Sequence, residues 1–115
     1  MNFLIRLLLT AIAVIVTAYI LPGVHVSNFL TAVILAAVLA ILNATLKPLL
    51  IIVTIPFTFI TLGLFLLVIN AIVILAAEAL TPGFVVDGFW WALLFSLILS
   101  LLNSLLIDAS KKEHR

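Results

Sequence analysis

Lys47-Pro48-Leu49-Leu50-Ile51-Ile52-Val53-Thr54-Ile55-Pro56-Phe57-Thr58-Phe59-Ile60-Thr61-Leu62-Gly63 is apolar enough to lie in a membrane and poorly built to cross one. Lys47 closes one end, Pro48 and Pro56 interrupt the run, and Thr54, Thr58 and Thr61 punctuate the remainder. A straight helix from Lys47 to Gly63 would reach only about 24 Å, short of a hydrocarbon core of roughly 30 Å. Pro56 removes an amide donor, and its ring clashes with the carbonyl four residues back. In lipid a freed carbonyl needs a partner, which threonine hydroxyls or neighbouring helices supply. The stretch reads as a Pro-broken hinge, re-entrant or lying in the interface, with Lys47, Pro48, Thr54, Pro56, Thr58 and Gly63 as its defining residues.

Composition on either side sets the class. Of 115 residues, 68% are hydrophobic and 8% charged, and the mean hydropathy is +1.59. Soluble domains are near half apolar and a quarter charged, so this is an integral membrane protein. No Asp, Glu, Lys or Arg falls between Arg6 and Lys47, or between Lys47 and Glu78. The chain is too short for a separate soluble catalytic domain, and a net charge of +1 does not suit nucleic acid. It has no cysteine, hence no disulfide framework or thiol chemistry. Arg6 followed by an apolar run is similar to a signal peptide. No Ala-x-Ala-like cleavage site precedes Pro22, however, so residues 3–20 read as a retained helix.

In chain order, Phe3–Ile20 is a first span, ended by Pro22-Gly23, where proline breaks the ladder and glycine tolerates positive φ. Ser27 or Asn28 is placed to cap a second span, from about Asn28 to Leu46, which stops at Lys47-Pro48. A third span starts at Gly63 or Leu64 and ends near Leu80. Pro82-Gly83 repeats the turn, Asp87 the cap, and Phe89–Ile107 is the fourth span. The expected units are 1–46, 47–63, 64–107 and a polar, frayed tail at 108–115.

The two turns lie 60 residues apart, and at that offset Ser27 meets Asp87, Phe29 meets Phe89, Ala32 meets Ala92, Asn43 meets Asn103 and Thr10 meets Asn70. Leucine matches are cheap in so apolar a chain; the Pro-Gly, cap and Asn matches are not. Each half reads as helix, turn, helix. Arg6, Lys47, Lys111, Lys112 and Arg115 fall at the N-terminus, the hinge and the tail. Four spans around a non-crossing hinge put all of them on one side, which the positive-inside rule makes cytoplasmic, together with both termini. The expected fold is therefore all-α, four transmembrane helices as two parallel repeats. Inverted repeats, a common transporter device, need an odd number of spans per half.

Within the spans, Thr10, Asn43, Asn70 and Asn103 fall at similar depths, predicting a polar layer in the cytoplasmic half. Interhelical hydrogen bonding accounts for such a layer, at about 0.6 kcal/mol per bond, more readily than an ion path does. His25, Glu78 and Asp87 share the opposite end without metal-ligand spacing. Asp87 reads as an N-cap with Ser27 its neutral twin, Glu78 as a snorkelling side chain, and Trp90 and Trp91 as interfacial anchors. Nothing resembles a nucleophile–base pair, a phosphate-binding loop or a zinc pattern. No catalytic, cofactor-binding or metal residue is expected.

Three segments together resemble the small bacterial membrane proteins of phage holin family 4, superfamily IV type. They are Leu21-Pro22-Gly23-Val24-His25-Val26, Leu42-Asn43-Ala44-Thr45-Leu46-Lys47-Pro48-Leu49, and Thr54-Ile55-Pro56-Phe57-Thr58-Phe59-Ile60-Thr61-Leu62-Gly63-Leu64-Phe65 with Asn70. The second turn, Pro82 to Trp90, is similar to the same family. The resemblance covers essentially the whole chain. It implies a bacterial cytoplasmic membrane and no enzymatic activity, and it supplies no catalytic residues. Two functional classes follow: a holin-like protein that oligomerises into a pore or channel, and an accessory subunit that packs against a larger membrane complex or modulates the envelope. The bilayer is a partner in both.

Overall fold

The computed structural model describes residues 2–61 and 63–113, without the side chains of 111–113. The cationic groups of Lys111, Lys112 and Arg115 therefore lie outside the described residues.

Helix α1 spans Phe3–Ile20, opened by Asn2, whose side chain accepts from the Ile5 N–H at 2.9 Å. It ends where Leu21 turns extended ahead of Pro22. After strand β1 (Val24–Val26), Asn28 opens α2 (Phe29–Ala44) by accepting from the Thr31 N–H at 2.8 Å. Ser27 is thus not the cap of α2. Two short helices follow, α3 (Leu46–Val53) and α4 (Ile55–Ile60), then α5 (Phe65–Leu80), strand β2 (Phe84–Val86) and α6 (Phe89–Glu113). The tail expected to fray continues α6, and residues 114–115 lie outside the described residues.

The hinge is broken, but not where the prolines alone would break it. α2 ends before Lys47-Pro48, at Thr45, whose N–H and hydroxyl both reach the Ile41 carbonyl. Pro48 is then the third residue of α3 and Pro56 the second of α4. First-turn amides have no intrahelical acceptor, so a missing N–H costs little there. The second break falls at Thr54, whose hydroxyl donates to the Leu50 carbonyl at 2.6 Å. Thr61 repeats the device on Phe57 at 2.9 Å, and Gly63, at φ 89°, turns the chain into α5. The hydroxyl of Thr58, expected to serve freed backbone groups or asparagines, is buried and has no hydrogen-bond partner among the described residues.

Long helices pack around a ring: α1 on α2 and α6, α5 on α2 and α6. Buried positions recur at the 60-residue offset. Ala11 and Ala71, Val14 and Ile74, Ala32 and Ala92, Leu35 and Phe95, and Leu39 and Leu99 are all core pairs. In lipid the hydrophobic effect does not drive helices together; close packing does, and alanines at the contacts let backbones approach. Leu8, Ile12, Leu30, Ile34, Ile72, Leu94, Leu97 and Leu101 stay on the outer surface, as a lipid-facing shell requires.

The chain is helical as expected, with one small strand pair added at the turns. β1 and β2 pair antiparallel, Val24 with Val86, His25 with Val85 and Val26 with Phe84. The Ser27 N–H donates to the Gly83 carbonyl at 3.0 Å, and the Asp87 N–H to the Gly23 carbonyl at 2.9 Å. These bonds interchange when each residue is replaced by its counterpart in the other half. Inter-helix loops at the end of a bundle leave backbone groups unpaired, and each half here pairs those of the other.

Gly83 has φ 90°, but Gly23 is absent from the positive-φ glycines and serves a different purpose. A Cβ there would lie 2.2 Å from the Trp91 ring. Trp91 is accordingly half-buried against the turn, whereas Trp90 is 73% exposed.

Candidate functional site

Polar side chains gather at the end of the bundle where α1 begins, α2 ends and α6 approaches its C-terminal third. A cavity of about 430 Å³ opens there, walled by Phe3, Arg6, Leu7 and Thr10 of α1, by Ala40 and Asn43 of α2, and by Ser100 and Asn103 of α6. A smaller cavity of about 60 Å³ adjoins it, reached by Lys47 of α3, Asn70 of α5 and Ser96 of α6. The two share Leu39, Asn43, Leu99 and Ser100.

Helical spacing explains the alignment. Arg6 and Thr10 are four residues apart, as are Ser96 and Ser100, and Ser100 and Asn103 are three apart, so each set lies on one helix face. One interhelical bond ties the layer, from the Thr10 hydroxyl to Asn103 Oδ1 at 3.1 Å. That bond occupies the amide oxygen of Asn103 and leaves its NH₂ as the donor end. The structure thus brings Thr10, Asn43 and Asn103 to one cavity and Asn43 and Asn70 to its neighbour. Arg6, Ser96 and Ser100 were not singled out as members. Ser96 and Ser100 were legible at the 60-residue offset, where they replace Ala36 and Ala40.

Beyond Leu39 and Leu99 the bundle is filled by side chains, mostly apolar, with Ser96, Thr17, Thr31 and Thr81 as buried polar residues. Leu35 and Phe95 are fully buried, and Phe84 packs on Phe95 with ring centroids 5.3 Å apart. The β1–β2 pair covers that end, away from the vestibule.

At the covered end, Glu78 does not snorkel: its Oε2 accepts from the Val86 N–H at 2.8 Å, satisfying a strand amide. His25 and Asp87, both more than half exposed, approach to 4.0 Å. The Ser27 hydroxyl donates to the Gly83 carbonyl at 3.0 Å. Among the described residues, no group of three His, Cys, Asp or Glu side chains is placed to hold a metal ion.

Three helical stretches are long and apolar enough to cross a membrane, Phe3–Ile20, Phe29–Val53 and Phe89–Ser110, and Phe65–Leu80 is a shorter apolar helix. The fold is that of a small, helical multi-pass membrane protein with a polar pocket at one end. Residues 1–105 match the family described as mycobacterial 4 TMS phage holin, superfamily IV, and the chain belongs to that family. It is 42% identical over 103 residues to YvlD of Bacillus subtilis (strain 168), named an uncharacterized membrane protein, covering 89% of this chain and 87% of that one. It is 36% identical over 112 residues to the uncharacterized protein SCO3922 of Streptomyces coelicolor, covering 89% and 90%. No solved structure matches.

Proposed function

We propose that this chain is a non-enzymatic accessory protein of the bacterial cytoplasmic membrane, presenting its vestibule to the cytoplasm, and that one copy does not conduct. The observation that carries this reading is the close packing beyond Leu39 and Leu99, where Leu35 and Phe95 are fully buried, capped by the β1–β2 pair. A lumen between copies would need a polar stripe on the outer surface. The outward faces of α1 and α6 carry Leu4, Leu8, Ile12 and Val16, and Leu94, Leu97, Leu101 and Leu105, which suit lipid or an apolar neighbour.

The proposal includes four spans, with both termini and the hinge on the cytoplasmic side and the β1–β2 pair outside. Phe3 and Arg6 near the start of α1 share a cavity with Asn43 near the end of α2, which supports a hairpin in the first half. The interchangeable strand bonds support two parallel repeats about an axis along the membrane normal. Residues 47–63 then lie at the cytoplasmic side as a non-crossing hinge.

Inducible expression with a membrane-potential dye and viable counts tests the reading. The expected result is intact potential and growth, with a defined partner or envelope component co-purifying in mild detergent. Rapid depolarisation and death on induction would instead establish an oligomeric pore, the holin-like alternative.

A further inference from the structure

We infer that the vestibule binds a net-anionic phosphate ester, one whose organic substituent carries no compensating cation, the chemistry shared by anionic lipid headgroups and soluble phosphate esters. The reasons are charge, donors and size. Arg6 lines the larger cavity and Lys47 the adjoining one, while among the described residues no Asp or Glu side chain lines either. Glu78 and Asp87 are engaged at the opposite end of the bundle, with the Val86 N–H and His25, and Asp108, on α6 beyond Asn103, is exposed and lines neither cavity. Two cationic groups therefore face a polar recess that contains no countercharge of its own.

The remaining polar wall is rich in donors. Asn103 has its oxygen held by Thr10, which aims donor capacity at an incoming acceptor, and Asn43 and Ser100 border both cavities. A guanidinium with amide and hydroxyl donors beside it suits phosphate, which offers two oxygens to the fork and keeps further oxygens for the flanking donors, where a carboxylate has only the two. The volume of about 430 Å³ lies within the range of small-molecule sites and exceeds the needs of a lone inorganic ion. Phe3 and Leu7 give the same cavity an apolar wall, on which the stem of a lipid can rest. Basic pockets between helices at the cytoplasmic side are where anionic headgroups bind in other membrane proteins.

Binding is measured on the full chain in neutral detergent, apart from any effect on membrane potential. Short-chain phosphatidylglycerol, short-chain phosphatidylcholine and inorganic phosphate are titrated separately by calorimetry. Phosphatidylglycerol is expected to bind, and Arg6→Gln to weaken it about tenfold, as loss of a bidentate charged contact does. Asn43→Asp, which adds a carboxylate to both cavities at an exposed position, is expected to weaken it similarly. Arg6→Lys keeps the charge and should retain part of the affinity. Inorganic phosphate binding as tightly as the lipid, with the same sensitivity to both variants, would support the site and assign it to a soluble ester. Equal binding of the two lipids, affinity unchanged in both Arg6→Gln and Asn43→Asp, or no binding by any probe would overturn the inference. Melting of each variant in detergent is followed in parallel, so that a folding defect in one leaves the other as the test.

Discussion

Gly23 shows how one atom fixes the covered end of the bundle. The Trp91 ring occupies the space a β-carbon would need, so Gly23→Ala forces the indole or the turn to move. Overpacking of this kind costs roughly 1–3 kcal/mol, read as a lowered melting temperature in detergent. Trp91→Leu in the same chain should recover much of the loss, and a Gly23→Ala protein as stable as the parent would contradict the close approach. At the other end, the Thr10–Asn103 bond links side chains across two helices of the polar layer. A double-mutant cycle with Thr10→Val and Asn103→Leu should return a coupling of roughly 0.6 kcal/mol, the average for such bonds in lipid. A coupling of zero would mean that the two side chains share a cavity without depending on each other. The membership of Thr10 and Asn103 was legible as matched polar positions in two helices. Their bond was not, because spacing within a chain does not set the rotation of one helix against another.

Among the elements, the hinge departs most from a reading based on proline alone. Proline at the second or third position of a helix is tolerated, so the breaks move to Thr45 and Thr54, whose hydroxyls cover carbonyls of the preceding turn. Pro56→Leu restores an amide able to bond the Ile52 carbonyl. The expected outcome is a merged helix over residues 46–60, about 22 Å long and pushed toward spanning. Circular dichroism should register the added helix, and labelling of a Ser110→Cys reporter should change. No change in either would show that Thr54, and not Pro56, holds the break. The strand pair was the least legible element. Val24-His25-Val26 and Phe84-Val85-Val86 are too short to declare themselves as strands, and only their meeting at the end of the bundle gives their amides partners. Helix limits were easier, since Pro22 and Pro82 stand just beyond α1 and α5.

At the scale of the molecule, the account requires a bundle with two unlike ends, one open and polar, the other covered by strands. Burial at a 60-residue offset was legible in outline from the paired turns and asparagines. The closed end was not, because it depends on the burial of Leu35 and on Phe84 packing against Phe95. The chain has no native cysteine, so single-cysteine variants report one position each. The most direct measurement is labelling of His25→Cys, Lys47→Cys and Ser110→Cys by a membrane-impermeant maleimide, in intact spheroplasts and in inverted vesicles. The account predicts that His25→Cys reacts in spheroplasts alone, and that Lys47→Cys and Ser110→Cys react in inverted vesicles alone. Labelling of Ser110→Cys from outside intact spheroplasts, with Lys47→Cys reacting from the inside, would contradict it.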